Sequence, residues 1–305
     1  MTGKGVDKGE GWLAFLLVVM LAVPRPKSLT RPPRGSRLWV IIFKENINLA
    51  AGNVNDQHLR VIHILHMPRA LALLQSYTRP ALSSSSLRHI IDTDKPAILS
   101  QCFQDLPALT KWPQRCYLRK FADHPIEIEV SPLDAPGYGE RHEISLGAYL
   151  EMLDHQLPYR AYMAQFPLFE RIPHLQADVT TPLVEEILRR GEKYSSSTWI
   201  GKKSLTPLHH DPKALTNLFI QICGTKRVRM FPPESDRERL WVGEGTLRNT
   251  STVDVWRGEV DLGDGLEGTL RAGDGLIIPK GWWHSVQSDE DLLNISVNWW
   301  FKILD

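Results

Sequence analysis

The stretch GDGLIIPKGWWH, residues 273–284, decides the fold. Gly273 and Asp274 form a turn, 276–278 a short buried strand, and Pro279 with Gly281 a second turn that delivers His284 onto a returning strand. Outward from it the chain reads the same way. SSTWIG (196–201), TNLFIQICG (216–224), KRVRMF (226–231) and LLNISVNWWF (292–301) are strand-like runs separated by Gly-, Pro- and Asp-rich turns. Many short strands at this spacing predict a sandwich or barrel. DKPAIL (94–99) and IEIEV (126–130) predict two more strands. Flanking helices are predicted at 106–121, after Ser145, and at 182–194. Ser145 is a natural N-cap, because Leu146, Tyr149, Leu150 and Leu153 then fall on one helical stripe.

A second stretch, TPLHHDP at 206–212, sets two histidines beside an aspartate. On a strand successive side chains alternate faces, so His209 and Asp211 point together and His210 points away. The pair alone is weak, because 11 His and 35 acidic residues among 305 give about one such match by chance. A third ligand is needed, and His284 is the candidate. The competing reading of His284 is a satisfied core histidine beside Trp282 and Trp283.

The composition is that of an ordinary globular chain: 305 residues with 42% hydrophobic side chains suffice for one large domain or two small ones. With 36 basic against 35 acidic side chains there is no global field to recruit nucleic acid or an anionic membrane. Cys102, Cys116 and Cys223 are scattered, without the paired spacing of a zinc knuckle or a disulfide framework. Residues 1–87 read as a leader, with an apolar run at 12–23 and a Pro/Arg-rich stretch at 24–37. The run is too short for a bilayer span, although it has the length of a signal-peptide core. Asp7 and Glu10 cancel Lys4 and Lys8, and no small-residue cleavage site follows. The expectation is a cytoplasmic or nuclear protein without a stable membrane span, with secretory targeting as the competing reading. The folded domain is expected over 88–305.

The pattern at 273–284 resembles the second motif of the cupin family, double-stranded β-helix (jelly-roll) barrels in which the terminal His is a metal ligand. By that resemblance His209, Asp211 and His284 form a 2-His-1-carboxylate triad suited to iron(II) with three positions open. A keto acid can chelate two of them, and its remote carboxylate then needs a cation. Lys226, just past the Gly224–Thr225 turn, is the candidate, against the ordinary reading of a solvated surface lysine. Several further blocks over 88–305 resemble the Jumonji C (JmjC) branch of 2-oxoglutarate oxygenases, and within it the group of JmjC domain-containing protein five (lysine demethylase eight). They are KPAIL, RAYMAQFPLFERIPHLQADV (160–179), STWIGKKSLTPLHHDP (197–212), FIQICGTKRVRMFPP (219–233), RNTS (248–251), PKGWWHSV and SVNWW.

The resemblance implies a mainly β barrel with flanking helices, iron(II) on His209, Asp211 and His284, and 2-oxoglutarate held by Lys226 and Thr206. Asn217, Asn298 and Tyr162 resemble further cosubstrate contacts, Tyr162 competing with the reading of a core tyrosine. Alternation agrees for the terminal strand, where Asn294, Ser296 and Asn298 share one face. Two features depart from the group. Tyr138, in SPLDAPGYGE, is shifted from the family's Tyr, and two extra residues separate Asp211 from Asn217. The implied activity is hydroxylation of a side chain in a protein or peptide substrate, histone and ribosomal proteins included, and a monomer is the expectation. The alternatives are N-methyl-lysine demethylation, hydroxylation of a modified tRNA base, and a metal-free cupin-like binding scaffold.

Overall fold

The computed structural model describes residues 39–40, 64–65, 71–78, 83–135, 138–212, 214–235, 240, 248–257, 262, 264–288 and 292–304. The apolar run 12–23 and the Pro/Arg-rich stretch 24–37 lie outside the described residues. The chain divides into two compact units, Met1–Met67 and Pro68–Asp305. In the first, β1 (Trp39–Val40) and β2 (Ile64–Leu65) form an antiparallel pair.

The second unit carries the remaining strands: β3 (Ala72–Leu73), β4 (Gln75–Thr78), β5 (Ala97–Ser100), β6 (Pro125–Pro132), β7 (Glu140–Ser145), β8 (Tyr159–Phe166), β9 (Gly191–Gly201), β10 (Leu205–His210), β11 (Thr216–Cys223), β12 (Thr225–Phe231), β13 (Leu266–Arg271), β14 (Gly275–Ile278), β15 (Trp283–Gln287) and β16 (Asn294–Ile303). Among the described residues they form a five-stranded sheet, β10-β15-β12-β13-β3, and a nine-stranded sheet, β4-β5-β14-β11-β16-β9-β8-β6-β7. Nearly all of these pairings are antiparallel; among the described residues the parallel ones are those of β3 with β13 and of β4 with β5. Both precede residue 88. This is the jelly-roll expected from the sequence, with the turns around Gly273 and Gly281 in the left-handed conformation (φ 86° and 77°) that favours glycine.

Side-chain alternation builds two cores. On β11 and β16, Leu218, Ile220, Val297 and Trp299 face a helical layer that includes Trp112 and Tyr149. On the opposite face Phe219 meets Val228, Met230, Leu270 and Val286 of the smaller sheet, and this second cluster holds the two sheets together. The polar residues of β16 share that inner face, as the alternation requires.

The helix after Ser145 forms at Leu146–Met152, and the Ser145 side chain accepts from the Ala148 amide. The helix predicted over 182–194 is shorter, Pro182–Leu188, and from Gly191 the chain becomes β9. Pairing with ten residues of β16 overrides local helical preference there. The predicted 106–121 helix is two single turns and a 3₁₀ segment. This connection is tied down by the buried Asp178, whose carboxylate accepts from Lys111, Trp112 and Tyr117. No helix among the described residues is long and apolar enough to cross a membrane.

Candidate metal centre

β10 and β15 run antiparallel with His209 opposite His284, so two histidines 75 positions apart stand with ring centroids 4.2 Å from each other. A register shift between Thr206 and His209 breaks the regular pleat at this point. Asp211 lies one residue past the end of β10 yet still turns toward His209. One potential ligand atom from each of His209, Asp211 and His284 lies within 4.8 Å of the other two, the one such trio found among the described residues. Each histidine Nε2 stands 3.9 Å from an Asp211 oxygen, Oδ1 for His209 and Oδ2 for His284.

The tautomers follow from the outer bonds. His209 Nδ1 meets the Pro207 carbonyl at 2.9 Å and His284 Nδ1 meets the Trp282 carbonyl at 3.1 Å. With Nδ1–H donating outward on both rings, each Nε2 presents a lone pair inward, as a metal ligand must. Burial, with His284 beside it, holds the His209 pKa well below the usual imidazole value, so the ring is neutral at pH 7. Two imidazoles with Nε2 turned inward and one carboxylate are a donor set that fits iron(II).

Behind the carboxylate runs a chain of amides. Asn217 Nδ2 donates to Asp211 Oδ2 at 3.0 Å, Asn298 Nδ2 donates to Asn217 Oδ1 at 3.1 Å, and Trp199 Nε1 donates to Asn298 Oδ1 at 2.8 Å. The structure thus gives both asparagines a part in orienting Asp211, while both also line the inner cavity beside the triad. Asn217→Ala is expected to weaken Zn(II) or Fe(II) binding by about 10- to 100-fold with the fold retained. Calorimetric titration of metal into the two proteins checks this, and equal affinities would remove Asn217 from the centre.

His210 takes the opposite face. Its ring packs edge-on against Trp283 at 4.7 Å, and its Nδ1 meets the Asp211 carbonyl at 2.7 Å. Segment 248–251 covers the outer side of β10: the His210 amide donates to the Asn249 carbonyl, and the Ser251 amide to the Leu208 carbonyl.

Lys226 is 1% exposed, in the inner cavity with the triad. Its Nζ donates to Tyr162 Oη at 3.2 Å and lies 5.4 Å from the Phe219 ring centroid and 5.6 Å from that of Tyr162. No carboxylate pairs with it among the described residues, and burial pushes its pKa down to about 7. A buried amine with one neutral partner is poised for an anion. Thr206 lines the same cavity and neighbours the Tyr162 hydroxyl. Arg229 is engaged elsewhere, donating to the Val255 carbonyl and lying over the Trp256 ring.

The inner cavity shares Tyr162, Trp199, Thr206, His209, Asp211 and Trp300 with an outer cavity of about 430 Å³. Tyr138 stands there at the rim, its hydroxyl 3.3 Å from Thr250 Oγ1, while Tyr162 lies deep beside Lys226. The eight residues expected from the sequence are therefore assembled in one place. Sequence reading missed Glu129 and Tyr194, which line the outer cavity; Trp300, which by sequence fits the core as readily as a methyl-lysine cage, lines it too. Glu129 sits among strand residues whose alternation, in IEIEV, was the available signal. Burial raises its pKa, against the opposing effect of Arg141 at 3.2 Å.

Comparison with known proteins agrees with this geometry. Residues 83–305 match the family model described as Cupin-like domain. The chain is 30% identical to "Lysine-specific demethylase JMJ30" of Arabidopsis thaliana over 302 residues, covering 94% of this chain and 69% of that protein. It is 27% identical to "Jumonji C domain-containing protein 5" of Drosophila melanogaster, over 72% of this chain and 59% of the relative. It is also 27% identical to "Lysine-specific demethylase 8" of Xenopus tropicalis, over 73% and 52% respectively. The chain thus spans between about half and about two-thirds of these relatives' lengths.

Proposed function

The chain belongs to the cupin-like JmjC family, and from that premise we propose that it is an iron(II)- and 2-oxoglutarate-dependent oxygenase that hydroxylates a side chain of a protein substrate. One observation carries the reading: a His-Asp-His cluster and a buried lysine with no carboxylate partner among the described residues share one cavity. When bound, iron(II) with 2-oxoglutarate and dioxygen supplies the oxidising chemistry, hydroxylation of a C–H bond coupled to decarboxylation of the cosubstrate.

The protein's part is placement. His209, Asp211 and His284 hold the metal, the carbonyls of Pro207 and Trp282 fix the two tautomers, and Asn217 orients the carboxylate. Lys226, with Thr206 and Tyr162 beside it, binds the remote carboxylate of 2-oxoglutarate. Taking up that anion restores the ammonium's proton, because the amine gains the partner it lacks. Trp199, Phe219 and Trp300 exclude water around the reacting atoms. The outer cavity receives the substrate side chain, and its aromatic rim limits what enters. We expect the enzyme to act as a monomer in the cytoplasm or nucleus.

A second reading, removal of an N-methyl group, is favoured by the names of the relatives and by the aromatic residues Tyr138, Tyr194, Trp199 and Trp300 around the outer cavity, which suit a methylated ammonium. Mass spectrometry separates the two. The protein, supplied with Fe(II), 2-oxoglutarate and air, is offered histone and ribosomal peptides with and without methyl-lysine. Gain of one oxygen on an unmethylated peptide, with matching succinate, is the expected product. Loss of a methyl group as formaldehyde would replace hydroxylation by demethylation.

A further inference from the structure

We propose that the indole Nε1–H of Trp300 is a ligand-binding donor of this site, hydrogen-bonding an oxygen of the 2-oxo acid carboxylate at the end away from Lys226. The inference rests on the reading of the inner cavity as a 2-oxoglutarate site. Trp300 is 6% exposed and lines both the inner and the outer cavity. Its Nε1 is shielded from solvent and has no hydrogen-bond partner among the described residues. A buried indole N–H normally finds one, and leaving it without a partner is costly.

The other nitrogen donors on the inner cavity's side chains each have a partner, with one of the two N–H groups of each asparagine committed. Trp199 Nε1 donates to Asn298, Asn298 Nδ2 to Asn217, and Asn217 Nδ2 to Asp211. The histidine Nδ1 atoms bond backbone carbonyls. Of these nitrogens, Lys226 Nζ has one neutral partner, and Trp300 Nε1 is the one with none among the described residues. A ligand with a carboxylate at each end supplies acceptors for both. Strand register says which end belongs to Trp300. It pairs with Asn217 across β11 and β16, so it stands beside the residue that holds Asp211, on the metal side of the cavity.

The test uses the full chain with ¹⁵N-labelled tryptophan indoles and Zn(II) as a diamagnetic metal. Into it are titrated 2-oxoglutarate and, separately, 2-oxobutyrate, which lacks the remote carboxylate. One indole cross-peak, absent from both Trp300→Phe and Trp300→Tyr, is expected to move downfield and to exchange more slowly on saturation with either acid. Calorimetry of Trp300→Phe is expected to show 2-oxoglutarate affinity reduced about 10- to 100-fold with Zn(II) affinity unchanged. If 2-oxoglutarate binds the wild type but this cross-peak does not move, the assignment of Trp300 is overturned and the cosubstrate reading stands. If the wild type gives no binding heat and no shift, both fall. The shift is read in the wild-type protein, so the inference survives a variant that folds poorly.

Discussion

Lys226→Met is expected to bind 2-oxoglutarate at least a hundredfold more weakly than the wild type and yet to melt several degrees higher. The two effects share one cause. Lys226 is 1% exposed, and burial alone brings its pKa from 10.5 to about 7. In the unfolded chain the amine is solvated and charged, so between about pH 7 and 10.5 the unfolded state holds more protons. This group's contribution to stability is therefore complete above pH 10.5 and is lost as pH falls toward about 7. Near pH 7 the cost is on the order of 4 kcal/mol, and a methionine of similar length removes it. Thermal melts without 2-oxoglutarate read that gain, and titration calorimetry reads the lost affinity.

Binding depends on pH in the opposite sense. A carboxylate needs the ammonium, so wild-type affinity for 2-oxoglutarate is expected to be flat below about pH 7 and to fall roughly tenfold per unit above it. Lys226→Arg is expected to recover part of the affinity, because its planar fork does not fit a site shaped around a compact amine. A methionine variant that binds like the wild type would move the anchor elsewhere.

Asp211→Ala is expected to lose metal binding by more than a hundredfold and turnover to background, whereas His210→Ala keeps both within a few-fold. The two residues are adjacent in sequence but face opposite ways. Asp211 faces both Nε2 atoms at 3.9 Å, while His210 packs against Trp283. His210→Ala is therefore a packing change that costs about 1–2 kcal/mol of stability. Asp211→Ala also strips Asn217 of its acceptor, so Asp211→Asn is the companion that keeps the shape and changes the charge. Metal titrations and 2-oxoglutarate-dependent succinate release rank the variants. An inactive His210→Ala beside an active Asp211→Ala would invert the assignment.

Each half of the triad was legible locally, while its assembly across 75 positions came from the family resemblance. Two turns fix where His284 lands after Leu276, and strand alternation separates His209 from His210. The alternation of Asn294, Ser296 and Asn298 on β16 was legible for the same reason. What the sequence concealed depends on register between distant strands. Asn217 meets Asp211, and Asn298 meets Asn217, only once β11 and β16 are paired. Trp300 reads as one more core aromatic until its N–H is seen without a partner. The helix predicted over 182–194 failed for a related reason, since nothing local shows that residues from Gly191 pair with β16.

The central claim is tested most directly by titrating 2-oxoglutarate anaerobically into the Fe(II)-loaded protein while recording its visible absorbance. The expected result is a saturable charge-transfer band that requires both iron and 2-oxoglutarate, is absent in Asp211→Ala, and needs far more 2-oxoglutarate in Lys226→Met. A folded wild-type protein that takes up neither iron nor 2-oxoglutarate would contradict it.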